Sequence, residues 1–135
     1  MKIFWDTNLF IYLWEEKPPL KDWDEMIQEM EHHQLATSTL TMGEILVHPF
    51  QHGRSETALA YRQALDRLAL IPFDAEAAVC FARLRATHPS LRPPDAIQLA
   101  CAVTGGCEIF FTNDRRLLDV EAGIRILAIQ DWNKI

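Results

Sequence analysis

The chain opens on Lys2-Ile3-Phe4-Trp5, a short run apolar at successive positions, which passes straight into Asp6-Thr7-Asn8 and then into the helical pattern Leu9 to Trp14. A strand that buries both faces belongs in the interior of a parallel sheet, because only there do crossover helices cover it on both sides. Asp6 is then placed at the C-terminal tip of that strand. Open α/β sheets bind their ligands along this edge, so Asp6 has to be weighed together with the other acids of the chain.

Downstream, strand and helix patterns alternate. Asp22 to His33 carries Trp23, Met26, Ile27 and Met30 on one helical face, and Gln34 to Ser38 reads as a second strand. A helix from about Leu40 to Val47 follows, with Pro49 and Gly53 expected to end it. After a longer helix, Ser55 to Leu70, the run Leu70-Ile-Pro-Phe73 reads as an edge strand, since proline cannot donate to a ladder. Asp74 caps a helix over Ala75 to Ala86. The turn-rich loop His88 to Pro94 then delivers Asp95 into a helix Ala96 to Val103, which Gly105-Gly106 stops. Glu108 to Thr112 forms a fourth strand ending in Asn113-Asp114, Arg115 to Leu118 a short helix, and Ile124 to Ile129 a fifth strand. This alternation predicts an α/β fold with a mainly parallel five-stranded sheet, helices on both faces and right-handed crossovers.

Composition narrows the functional classes. The 135 residues contain no repeat or low-complexity segment and are expected to form one domain. With 49% apolar and 24% charged residues the chain is expected to be compact and soluble. Cys80, Cys101 and Cys107 are odd in number and lack a Cys-x-x-Cys pair, which fits buried, reduced thiols. No signal peptide pattern precedes Asp6 and no apolar run is of membrane-spanning length, so a cytoplasmic location is expected. A net charge of −6 argues against coating nucleic acid by bulk charge. The arginines nevertheless bunch near the acids: Arg92 precedes Asp95, and Arg115 with Arg116 follows Asp114. They are the nearest candidates to hold a phosphate backbone, with a solvated helix face as the plain alternative.

Taken singly, each acid has a structural explanation. Asp6 and Asp114 sit between a strand and a helix, as N-caps do; Glu44 completes a Thr41-x-x-Glu44 capping box; Asp95 lies in a helix's first turn, where negative charge suits the dipole. Jointly they say more. Asp6 and Asp114 fall at one edge of one sheet, and Glu44 opens the helix after another of its strands. Carboxylates gathered within a few ångströms repel by several kcal/mol at an effective dielectric of about 20, which calls for a counter-charge. A divalent cation is the simplest, and ligation by carboxylates without Cys or His suits Mg²⁺ or Mn²⁺ better than Zn²⁺. Such sites activate water and neutralise charge on a phosphodiester.

Four short motifs appear in order: Asp6-Thr7-Asn8, Thr41-Met-Gly-Glu44, Pro94-Asp95-Ala-Ile-Gln-Leu-Ala100 and Thr112-Asn113-Asp114. With them the chain resembles a PIN-domain ribonuclease of the VapC toxin type over essentially its whole length. The resemblance implies a three-layer α/β/α sandwich, Mg²⁺- or Mn²⁺-dependent endonucleolytic cleavage of RNA, homodimerisation, and inhibition by a small cognate antitoxin protein. Carried over residue by residue, it implies that Asp6, Glu44, Asp95 and Asp114 are the catalytic acids and metal ligands, supported by Thr7, Asn8, Thr112 and Asn113. Asn113 and Asp114 stay open as the fourth ligand.

Competing readings are narrower. Glu44, His48 and His52 stand at i, i+4 spacing as in a helical zinc site, but Pro49 interrupts them and no His-Glu-x-x-His motif is present. Asp6-Thr-Asn lacks the second aspartate of a haloacid-dehalogenase-type phosphatase, and no glycine-rich phosphate loop follows the first strand. A PIN fold kept as a protein- or RNA-binding module without turnover is the rival from another class, and metal-dependent cleavage separates the two. A housekeeping PIN nuclease differs by needing no antitoxin. Phe10, Tyr12 and Trp14 are expected in the core, with an antitoxin or second subunit as the alternative they could face.

Overall fold

The computed structural model describes residues 1–135. In chain order the elements are β1 Lys2–Trp5, α1 Thr7–Trp14, α2 Trp23–Met30, β2 Gln34–Ser38, α3 Thr39–Gln51, α4 Ser55–Asp66, β3 Ala69–Ile71, α5 Ala75–Thr87, α6 Pro93–Thr104, β4 Ile109–Thr112 and β5 Arg125–Ala128. A 3₁₀ turn, Arg115–Leu117, follows β4, and a 3₁₀ stretch over Ile129–Lys134, broken by a kink at Asp131, follows β5. The strands form one sheet in the order β3-β2-β1-β4-β5, and every pairing is parallel. The first strand of the chain is therefore the central one, as its two-sided apolar character requires, and Pro72 lies just past the edge strand β3.

Alternation along the strands divides the interior into two cores. Ile3 and Trp5 of β1, with Ile109 and Phe111 of β4, face α1, α2, α3 and α4, whereas Phe4 and Phe110 stack on the other face beneath α5 and α6, ring centroids 5.2 Å apart. Helices thus cover both faces, giving the α/β/α layering. Phe10 is buried as expected, and Trp14 stacks on Tyr61 of α4 at 4.6 Å. Cys101 and Cys107 are buried and Cys80 is half-buried; all three are free thiols.

Three local expectations need correction. The helix expected over Ser55 to Leu70 ends at Asp66, and Ala69 and Leu70 belong to strand β3. The helix expected to end at Val47 continues through Pro49 to Gln51. Proline near the end of a helix removes a single backbone bond, and here its ring is buried. The turn is closed just beyond it, with Arg54 N–H donating to the Pro49 carbonyl at 2.8 Å and Gly53 in the left-handed region at φ 64°. The capping box is also displaced. Helix α3 starts at Thr39, and its cap is Ser38, whose Oγ accepts from Thr41 N–H at 3.1 Å, so Glu44 is released from any capping duty.

Two glycines test this packing in opposite directions. A Cβ on Gly105, which ends α6, would clash with Ile71 Cδ1 and lie 2.9 Å from the Cys101 carbonyl, whereas one on Gly43 within α3 would meet nothing within 4 Å. Gly105→Ala is expected to lower the unfolding free energy by about 1–3 kcal/mol through overpacking, and Gly43→Ala to raise it by about 0.5–1 kcal/mol through helix propensity. Urea denaturation of both variants checks the pair.

Candidate active site

Four separate segments bring their acids to the C-terminal edge of the sheet. Asp6 follows β1 directly, Asp114 stands two residues beyond β4, Glu44 is one turn into the helix that follows β2, and Asp95 is the third residue of α6. All four line one cavity of about 320 Å³, together with Thr7, Asn8, Arg92 and Gln98. Asp95 is carried by a helix that follows another helix, and the packing of α6 against β2 and β4 brings it to the edge.

The plain explanations hold alongside this convergence. Asp6 caps α1, accepting from Thr7 N–H at 2.9 Å, and Asp114 caps the 3₁₀ turn Arg115–Leu117, accepting from Arg116 N–H at 3.0 Å. Asp6 does more than cap. It is 7% exposed, and its second oxygen accepts from the Thr112 hydroxyl at 2.7 Å and from Asn8 Nδ2 at 3.4 Å. The Thr112 oxygen in turn accepts from Asp114 N–H at 3.0 Å, so one hydroxyl fixes two of the four acids. Burial lifts the Asp6 carboxyl from its ordinary 3.8 to about 6; the bonds from Thr112 and Thr7 pull it down, and the charges of Asp95 and Glu44 push it further up.

Glu44 is set by a directed chain of hydrogen bonds. The Ser38 hydroxyl donates to Gln98 Oε1, and Gln98 Nε2 donates to both Thr7 Oγ1 and Thr41 Oγ1 at 2.8 Å. Thr7 Oγ1 donates to Glu44 Oε1 at 2.9 Å. Since Thr7 spends its only hydroxyl proton on Glu44, the 3.0 Å contact between Thr7 and Thr41 has Thr41 as donor. Gln98 and Thr41 had no role assigned from sequence beyond motif and cap. Gln98 lies three residues after Asp95, on the same helix face, and this spacing is the signal that could have singled it out.

Arginines supply the counter-charge on the opposite side. Arg116 grips Asp114 through Nε at 2.9 Å and Nη2 at 2.7 Å, holding that carboxyl below its ordinary range, while Arg92 Nε donates to Asp95 at 3.0 Å and its Nη2 stands 3.9 Å from Asp114. Arg115 is exposed and lines neither this cavity nor its neighbour. Asn113 also points its groups elsewhere, donating from Nδ2 to Tyr12 Oη at 2.9 Å and accepting from Gln130 at 3.0 Å, so Asp114 is the one that lines the cavity. With two acids in the grip of arginines and a third bonded to Thr7, no three carboxylates stand grouped to hold an ion as they are. The rings of His48 and His52 lie side by side on α3 and its cap, centroids 4.3 Å apart and tilted by 35°, outside the acid cavity.

Asp6 carries a measurable cost. Its raised value means that folding takes up a proton between pH 3.8 and about 6, so the stability linked to this group is full below that window and lost as the pH rises through about 6. At neutral pH the buried anion costs the metal-free fold up to about 3 kcal/mol, against about 1 kcal/mol for the Thr112 bond an amide would lose. Asp6→Asn is therefore expected to stabilise the protein in chelator by about 1–2 kcal/mol at neutral pH, the gain disappearing below about pH 4. Chemical denaturation as a function of pH checks both the sign and the window.

Solved structures share this fold. VapBC from Salmonella typhimurium bound to DNA matches with a TM-score of 0.76 at 24% identity, covering 98% of each chain. VapBC2 from Rickettsia felis, bound to a DNA fragment from its promoter, matches at 0.76 and 16% identity over 95% of this chain and 98% of that one. VapBC-5 from Mycobacterium tuberculosis, a member of the VapBC family of toxin-antitoxin systems, matches at 0.67 and 23% identity over 95% and 98%. At these identities the likeness is one of fold. No curated protein matches the chain. The PIN domain, however, matches residues 3–123, a span that runs from β1 almost to β5 and takes in Asp6, Glu44, Asp95 and Asp114, and the chain therefore belongs to the PIN domain family.

Proposed function

We propose that this PIN domain is a metal-dependent endoribonuclease and the toxin of a toxin-antitoxin pair. One observation carries the reading: four carboxylates from four separate segments line a single cavity at the ligand-binding edge of a parallel sheet. A fold has no use for such a concentration of negative charge, and the burial of Asp6 makes it expensive. PIN nucleases use divalent metal ions, and the donors here are carboxylates with no thiol or imidazole, which fits Mg²⁺ or Mn²⁺.

Asp6, Glu44, Asp95 and Asp114 would hold the ion, which on binding supplies a water of lowered pKa and offsets charge on the phosphodiester. The chain's own work is to place these groups. Thr112 and the Thr7 amide fix Asp6, and the Gln98-Thr7 relay turns an oxygen of Glu44 toward the cavity. Thr112 also holds the Asp114 backbone, and Asn8 ties α1 to the segment after β4 by accepting from Asn113 N–H at 3.3 Å. Arg92 and Arg116, exposed at the cavity rim, have donors to spare for phosphate oxygens and would grip the RNA backbone.

The arginine contacts also suggest how a partner would silence the site. Guanidinium groups already pair with Asp95 and Asp114, so an arginine or lysine from a small antitoxin would find the same acceptors and compete with the metal. The apolar groove of about 480 Å³ lined by Phe10, Trp14, Ile27 and Leu68, over the unpaired indole N–H of Trp5, supports a protein partner of this kind. Exposed Val47, Phe50 and Leu59 on α3 and α4 support a homodimer.

Asp6→Asn and Asp95→Asn are each expected to lower cleavage of an RNA substrate by at least about 10²-fold at saturating Mn²⁺ while leaving RNA binding in chelator intact. Undiminished cleavage in both removes the acids from catalysis. Replacing Arg92 and Arg116 together by glutamine is expected to weaken all RNAs alike and to flatten the salt dependence of binding by about 1–2 units of slope; an unchanged slope assigns the arginines a purely structural part. Inhibition by a co-purifying small protein is expected to weaken as Mn²⁺ is raised. If no neighbouring open reading frame yields an inhibitor, the housekeeping nuclease reading takes its place.

A further inference from the structure

A second cavity, of about 370 Å³, adjoins the acid cavity and shares Arg92 and Asp95 with it as a common wall. It is built from the loop before α6 and the turn after β4, and six of its nine lining residues are polar or charged. Its volume lies within the about 300–1,000 Å³ of small-ligand sites. Val120, with the largely buried Leu91 and Leu117 beneath it, gives it an apolar floor, and Ser90 and Asp119 offer a hydroxyl and an acceptor. Arg116 also lines this cavity while its guanidinium bonds Asp114, which lines the other, so the two arginines stand at the junction between the cavities. Arg116 uses only Nε and Nη2 on Asp114 and Arg92 only Nε on Asp95, which leaves Nη1 of each without a protein partner.

We propose that this second cavity is a nucleotide subsite. It takes the base and ribose of the RNA residue next to the scissile phosphate, and Arg92 and Arg116 hold the phosphate that links that residue to the reacting one. The chemistry matches part for part: an apolar surface for the flat face of a base, Ser90 and Asp119 for its polar edge or the ribose hydroxyls, and guanidinium groups for the anion. A protein with only the acid cavity would grip RNA by charge alone. The subsite gives it a place to distinguish one base from another, so the cleavage sequence preference is written in residues 88–92 and 116–120. This rests on the nuclease reading for the phrase next to the scissile phosphate, but not for the binding of a nucleotide.

The test reads binding without turnover. Adenosine and uridine 3′,5′-bisphosphates are titrated separately into ¹⁵N-labelled protein in chelator, and amide shifts are followed. Saturable shifts at Ser90, Leu117 and Val120 are expected. Ser90→Trp, which fills the cavity from an exposed loop, is expected to weaken the bisphosphates at least tenfold, with Mn²⁺ affinity within twofold of the parent as proof of an intact fold and acid site. Val120→Phe is the second variant and is expected to act in the same direction. Shifts confined to the neighbours of Asp6 and Glu44, or bisphosphate affinity unchanged in both variants, would overturn the subsite. If the protein shows these shifts yet cuts no RNA in Mg²⁺ or Mn²⁺, the subsite stands and only the nuclease reading falls.

Discussion

The burial of one carboxylate, Asp6, in a cavity shared with three others is the constraint on which this structure turns. The four meet at one sheet edge, and Asp6 is buried deeply enough for its proton affinity to rise to about 6. Desolvation supplies most of that rise, and the charges of Asp95 and Glu44 add to it. The molecule meets this cost in two ways. Hydroxyl and amide donors from Thr112, Thr7 and Asn8 stabilise charge where it is buried, while arginines at the rim neutralise it where it is exposed. Side-chain contacts within the chain thus partner all four acids, and the proposed function requires a divalent cation to replace some of them.

The scaffold around this edge is ordinary and strong by comparison. Because β1 is central, Asp6 is anchored between β2 and β4, and its own backbone N–H reaches the Phe111 carbonyl at 3.0 Å. Two apolar cores, one on each face, clamp the sheet, with Ile3, Trp5, Ile109 and Phe111 against one set of helices and Phe4 and Phe110 against the other. Helix α6 links the two roles. Its Leu99, Ala100 and Cys101 are core residues, and the same helix presents Asp95 and Gln98 to the cavity. A shift of α6 would therefore move an acid and the amide that orients another.

Most of this was legible where a signal was local. Consecutive apolar residues in β1 and β4 announced a sheet covered on both sides, and Asp6 and Asp114 at strand ends announced the edge where the acids gather. Pro72 marked the edge strand. What escaped depended on tertiary contacts. Pro49 reads as a stop until its burial in the fold is known, and Thr41-x-x-Glu44 reads as a capping box until Ser38 takes the cap and frees Glu44 for Thr7. Gln98 carries no motif of its own; its role exists only because Ser38, Thr7 and Thr41 come from two other segments. Adjacent Arg115 and Arg116 are equivalent in sequence, and the 3₁₀ turn alone decides that Arg116 meets Asp114 while Arg115 faces solvent.

The central claim is that the four carboxylates form one cation centre held in reserve by arginines. Crystals grown with Mn²⁺ and measured at its absorption edge test it most directly, since anomalous scattering locates the ion without assumptions about activity. The account predicts density among Asp6, Glu44, Asp95 and Asp114, with Arg116 turned away from Asp114. Anomalous density at His48 and His52 instead, or an acid cavity without any at saturating Mn²⁺, would contradict it.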